Sequence, residues 1–318
     1  MNAPRSSLRL GAVAAGWLAL GMLGARHLAF HLPDAIASAL SEPSYYALVW
    51  SLTTALGVAA VFRLDPAPRD ALALGRPSAS ALTLAGLVAP IVLVVSLYLA
   101  WRIALPSIQA ELAARGKQAM RAAVSSANRA ARQPNLGTVV LWSVVLTPLA
   151  EELVFRGALW SAIARAVAPP TETAPPSLAP KFVVRSPLGD GLTALVRLLR
   201  GGLLATLVTS LLFAWLHVEG DGGVALLALV QTALLGLALG LARGMAGSIA
   251  APVTLHAAFN ALTLAQKRGL FAGTFWPAPL PIPSKLWFVA LACAFAVALV
   301  VTLRARHPKS VASPPSEG

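Results

Sequence analysis

Apolar residues along this chain fall in long, nearly unbroken blocks, and eight of those blocks reach or approach the roughly 20 residues that cross a bilayer core. They lie at about 9–28, 44–63, 80–101, 138–164, 201–218, 224–243, 247–265 and 286–304. Each block is predicted to be a helix, because lipid offers no partner for an unpaired backbone N–H or C=O. The predicted fold is all-α, a polytopic membrane bundle of about eight transmembrane helices.

Two connections between the blocks are long. Residues 107–132 contain no proline and carry Ile108, Leu112, Met120, Val124, Ala127 and Ala131 at mostly helical spacing, with Arg115, Arg121, Arg129 and Arg132 interleaved. The pattern predicts either an amphipathic helix at the membrane interface or a solvated Ala-rich helix that links two spans. Residues 166–190 hold Pro169, Pro170, Pro175, Pro176 and Pro180 among Thr and Ser, which predicts an irregular loop. Leu192 to Arg200 then reads as a short basic helix, and the tail Pro308–Gly318 as disordered. No internal repeat is visible, which disfavours a transporter built from duplicated halves.

Composition strengthens the membrane assignment. Of the 318 residues 57% are apolar and 12% charged, against about 25% charged in a soluble domain. The net charge of +13 would suggest nucleic acid in a soluble chain, but here the cations flank apolar spans. Anionic lipid headgroups are the predicted partner, and nucleic acid is not. With the N-terminus in the cytoplasm, the cytoplasmic segments hold 14 Lys and Arg and the opposite side 10, so both termini are expected to be cytoplasmic. Residues 1–25 imitate a signal peptide, with Arg5 and Arg9 before an apolar run and Leu23-Gly24-Ala25 as a cleavage-like site. Seven further spans follow, so a retained signal anchor is expected instead. Cys293 lies in the last block and, as the one cysteine, forms no intramolecular disulfide.

Three polar clusters stand inside these blocks. They are Glu151-Glu152-Leu153-Val154-Phe155-Arg156, Phe213-Ala214-Trp215-Leu216-His217, and His256-Ala257-Ala258-Phe259-Asn260. A charge at the bilayer centre costs about 3 kcal/mol on insertion scales, so such residues are kept for a purpose. On a helix Glu152 and Arg156 share a face in the favourable order for an ion pair, whereas Glu151 points about 100° away. Glu151 then needs another partner, and His217 or His256 is the natural one. Ion pairing that merely locks helices together explains Glu152 and Arg156 equally well. His256 and Asn260, four apart on one face, offer donors to a developing oxyanion or simply bonds between helices.

Together the series Glu-Glu-x-x-x-Arg, Phe-x-x-x-His and His-x-x-x-Asn, read as Glu151 to Arg156, Phe213 to His217 and His256 to Asn260, resembles the CPBP family of intramembrane proteases. That family is also called the Abi or type II CAAX prenyl protease family. Pro148, Gly157, Gly247-Ser248 and Ala251-Pro252 agree in context. The resemblance implies helices enclosing a polar cavity in which a peptide bond is hydrolysed. It implies that Glu151, assisted by His217, activates water, that Glu152 and Arg156 orient the site, and that His256 and Asn260 stabilise the oxyanion. It divides the chain into 1–137, N-terminal helices with the basic segment, 138–265, the catalytic core, and 266–318, a last helix and tail.

Zinc, with Glu151, His217 and His256 as candidate ligands, and a metal-free glutamate route both stay open, since no His-Glu-x-x-His helix is present. The expected substrate is a membrane-associated peptide or protein, and nothing in the sequence shows whether it is lipidated. Alternatives are a proton-coupled transporter, whose titratable groups would be strung across the membrane, and a non-catalytic immunity-type membrane protein. Ala-rich, Arg-biased usage suggests a bacterial inner membrane.

Overall fold

The structure is a computed structural model that describes residues 8–21, 42–130, 136–167, 202–218, 222–268, 270 and 284–306. Each of the eight apolar blocks corresponds to a helical segment, and no β-strand occurs among the described residues. We number the helices α1 (Leu8–Gly21), α2 (Glu42–Leu64), α3 (Pro68–Ala71), α4 (Ala79–Ala130), α5 (residues 136–167), α6 (Leu203–Leu216), α7 (Gly222–Ala246), α8 (Ala250–Lys267) and α9 (Ser284–Arg306). The architecture is an all-α membrane bundle. Ala79–Ala114 of α4 and the whole of α7 are long and apolar enough to cross a bilayer, and α1, α2, α6 and α9 contain shorter apolar stretches. The expected loop beyond Val167, the basic helix Leu192–Arg200, the tail and the cleavage-like site lie outside the described residues.

One connection differs from expectation. The basic segment 107–132 is not set apart from the span before it, since α4 runs as one helix of 52 residues with Pro90 and Pro106 inside it. A proline removes one donor, which neighbouring helices make tolerable in a membrane bundle, and the Ala-rich sequence beyond Pro106 favours continued helix. At 1.5 Å per residue α4 is about 78 Å long, so it outreaches the hydrocarbon core. It packs along α7, α8 and α9.

Helix α5 is built differently from its neighbours. Its α-helical stretches Leu136–Val140, Thr147–Glu152 and Trp160–Val167 alternate with π-helical turns Leu141–Leu146 and Leu153–Leu159. A π turn pairs i with i+5 and leaves some carbonyls without their α-helical partner, a feature common at functional sites. Two such carbonyls become important below.

The turn after α2, which reads from sequence as an ordinary cytoplasmic connection, folds back into the core. Ala71, Leu72 and Ala73 are buried, and Leu72 lies against Gly157 of α5. Asp65 pairs with Arg165 of α5 at 2.8 Å. The carbonyls of Ala73 and Gly75 accept Ile249 N–H at 3.0 Å and Ser248 Oγ–H at 2.9 Å. One short turn thus ties the end of α5 to the start of α8. Gly247, at φ 64, makes the left-handed step that ends α7 there.

Helices α6 and α7 approach closely along Gly236 and Gly240. A Cβ at Gly240 would stand 2.5 Å from Thr206 Cγ2, a stiff, fully buried β-branched side chain. Gly240→Ala is therefore expected to destabilise the protein by about 1–3 kcal/mol. Adding Thr206→Ser, which removes that methyl group, is expected to restore part of the loss. Unfolding titrations of the two variants in detergent check this, and an unchanged midpoint for Gly240→Ala would contradict the packing described.

Candidate active site

The three polar clusters meet at one place. Glu151 and Glu152 close the Thr147–Glu152 stretch of α5, Arg156 lies on the π turn that follows, His217 terminates α6, and His256 sits in the middle of α8. Glu152 and Arg156 are completely buried, Glu151 and His256 nearly so, and His217 is partly exposed. The two acids diverge as the helical geometry predicts, Glu152 toward Arg156 and Glu151 toward His217, with His256 reaching both.

Glu152 Oε1 accepts from Arg156 Nη1 at 3.2 Å and lies 2.9 Å from His256 Nδ1. The expected ion pair is present, and it has a third member that the sequence did not reveal. Arg156 Nη2 donates to the carbonyl of Gly236 on α7 at 3.1 Å. Its guanidinium lies 4.6 Å from the centre of the Phe213 ring, a distance at which the ring face attracts a cation. Phe213 also stands edge-on to Phe155 and His256 and lies tilted against His217, with ring centres 5.2, 5.7 and 4.3 Å apart. The aromatic position of the second motif is thus the packing centre of the site.

Glu151 faces both histidines, with Oε1 3.5 Å from His217 Nε2 and Oε2 3.8 Å from His256 Nε2. The opposite ring nitrogens are engaged elsewhere. His217 Nδ1 lies 2.7 Å from the Phe213 carbonyl and His256 Nδ1 lies against Glu152. A carbonyl and an ionised carboxylate only accept, so Nδ1 carries the proton in both rings, and in a neutral ring Nε2 presents a lone pair. Two lone pairs therefore face one carboxylate across gaps longer than a good hydrogen bond. A proton on a ring nitrogen, or a water molecule between ring and carboxylate, makes those gaps attractive.

Asn260 lies one helical turn beyond His256, and its Nδ2 donates to the carbonyl of Ser143 at 2.8 Å. Ser143 is in the first π turn, where i+5 is Pro148. Proline has no N–H to offer that carbonyl, and Asn260 takes its place. The second N–H of the Asn260 amide makes no hydrogen bond within the described residues.

Zinc fits this arrangement poorly. Among the described residues no group of three or more His, Cys, Asp or Glu side chains is placed to hold a metal ion. The Nε2 atoms of His217 and His256 each stand nearest a different oxygen of Glu151.

One buried residue beside the site is counted from the sequence only as one of the 14 cytoplasmic cations. Arg243, 1% exposed, donates from Nε to the carbonyl of Arg156 at 3.0 Å and stacks on Trp160 at 4.7 Å. Its position near the end of an apolar span makes it look like a flanking cation, and no spacing rule links it to Arg156.

The Glu152 and Arg156 contacts make a quantitative prediction. Arg156→Met leaves a buried carboxylate without its cation and is expected to cost about 3–5 kcal/mol. Glu152→Gln combined with Arg156→Met removes both charges and is expected to be less damaging than the sum of the single changes. Chemical unfolding of the three variants checks this, and strict additivity would show that the pair is not coupled.

Residues 133–262 match the family model described as type II CAAX prenyl endopeptidase Rce1-like. No curated protein and no solved structure matches the chain. The matched segment contains Glu151, Glu152, Arg156, Phe213, His217, His256 and Asn260. Over residues 133–262 this chain is therefore similar to the Rce1-like type II CAAX prenyl endopeptidase family, which supports the family resemblance read from the motifs.

Proposed function

We propose that this chain is an intramembrane endopeptidase that hydrolyses a peptide bond of a membrane-associated peptide or protein, with Glu151 as the general base. The observation that carries it is the buried Glu151 carboxylate with a histidine Nε2 near each oxygen. A water held among these groups gives its proton to Glu151, aided by His217, and the oxygen attacks the scissile carbonyl. The developing oxyanion is stabilised by the remaining Asn260 N–H and by His256 when its Nε2 is protonated. Glu152 supports that charge on His256 from the opposite ring nitrogen, as a carboxylate does in a catalytic triad, and Arg156 keeps Glu152 in place. The proton taken from water returns to the leaving amine, which completes hydrolysis.

No step of this route passes through a metal. The titratable groups come from α5, α6 and α8 and gather around the adjacent Glu151 and Glu152 carboxylates, which suits a hydrolase better than a proton relay strung across a membrane. The setting proposed is a bacterial inner membrane with both termini cytoplasmic, in keeping with the 14 to 10 distribution of Lys and Arg. Anionic lipids contact the flanking cations. The substrate is a peptide held at the membrane, by a lipid group or by its own apolar segment.

The test is cleavage of a mixed library of free and lipidated peptides by purified, reconstituted protein. Glu151→Gln is expected to lower turnover by about 10²- to 10⁴-fold, and a strong chelator is expected to leave the wild type active. Equal cleavage by wild type and Glu151→Gln would overturn the assignment of Glu151. Loss of wild-type activity in chelator, restored by added zinc, would replace the metal-free route with a metal-dependent one.

A further inference from the structure

The π turn Leu153–Leu159 carries Arg156, yet a π turn is a costly local geometry that neighbouring groups must hold. Trp160 N–H is the partner that an α-helix would give to the Arg156 carbonyl. Here it turns to the carbonyls of Phe155 and Gly157 instead. The Arg156 carbonyl receives Arg243 Nε–H at 3.0 Å, from 87 residues further along the chain. This bond satisfies an acceptor that the π turn took from its helical partner.

The supporting residue is itself anomalous. Arg243 is 1% exposed, and no carboxylate pairs with it among the described residues. Its contacts are the Arg156 carbonyl and the Trp160 face, while Trp160 Nε1 is fixed by Thr206 Oγ1 at 3.2 Å. A span that needed only packing there would carry an apolar side chain, since a bare cation is the most expensive way to fill the space. Gly236 and Arg243 are seven apart, two turns along one face of α7. That face holds Arg156 twice, by its Nη2 through the Gly236 carbonyl and by its main chain through Arg243.

We propose that Arg243 is a positioning residue for the active site: its Nε–H bond to the Arg156 carbonyl fixes the π turn that delivers Arg156 to Glu152, and through Glu152 sets His256. The hydrogen bond, rather than the charge, performs this task. The proposal rests on the protease reading for its catalytic consequence, whereas the structural part stands without it.

Two substitutions separate bond from charge. In Arg243→Gln the amide nitrogen occupies the same position along the side chain as arginine Nε and still donates, without charge. In Arg243→Met the equivalent atom is a methyl carbon. Both are made in the full-length protein in detergent, and hydrogen–deuterium exchange is followed in peptides covering 153–160 and, for reference, α8 and α9. Arg243→Met is expected to accelerate exchange in 153–160 by about tenfold or more, with the reference peptides unchanged. Arg243→Gln is expected to stay within about twofold of wild type.

In the cleavage assay Arg243→Met is expected to lower kcat by about 10- to 100-fold with little change in KM, and Arg243→Gln to recover most of that loss. Three results would overturn the proposal: no acceleration in 153–160, equal effects of Gln and Met, or acceleration spread evenly over the whole chain. Should the wild type cleave no peptide, the protease reading fails, and the exchange comparison still decides whether Arg243 holds the turn.

Discussion

A buried ion pair between Glu152 and Arg156 is the constraint around which the rest of this site is arranged. Both side chains are fully enclosed within the helix bundle. Two charges in such a place need further partners, and other helices supply several: Gly236 of α7 and Phe213 of α6 on the arginine, and His256 of α8 on the glutamate, while Glu152 Oε2 and Arg156 Nε stay buried without a hydrogen bond among the described residues. Satisfying one pair thereby brings four helices into register. The functional atoms follow from that register, since His256 can face Glu151 with Nε2 only because Nδ1 is held by Glu152.

The backbone around the pair is irregular, and the irregularity is used. The π turn before Glu151 releases the Ser143 carbonyl, which Pro148 cannot serve and Asn260 does. The π turn after Glu152 releases the Arg156 carbonyl, which Arg243 serves. Each departure from α-helical bonding on α5 is met by a side chain from α8 or α7, so the helix bearing the acids is joined to its neighbours by main-chain as well as side-chain contacts. The turn from Asp65 to Gly75, buried at Asp65 and Ala71–Ala73, does the same at the far end, against Arg165, Ser248 and Ile249.

The eight helices were legible because long apolar blocks admit hardly any other structure in lipid. The ion pair was legible because its members are four apart on one helix, and the divergence of Glu151 from Glu152 follows from the same geometry. The bond from His256 to Glu152 was not, because the partners lie 104 residues apart and histidine offers two nitrogens whose roles only the fold decides. The π turns left no sequence signal beyond Pro148, and Arg243 resembles any cation near the end of a span. The continuity of α4 through Pro106 was missed because a proline usually marks an end, whereas a packed membrane helix absorbs it.

A water molecule activated between Glu151 and two histidines is the central claim, and the fate of that water's oxygen tests it most directly. A single turnover in H₂¹⁸O, analysed by mass spectrometry of both product and protein, follows it. Direct attack by water predicts one ¹⁸O atom in the new carboxyl terminus of the product and none in the Glu151 carboxylate. Label in Glu151 itself would show that this residue forms a covalent acyl intermediate, and would contradict its role as a base.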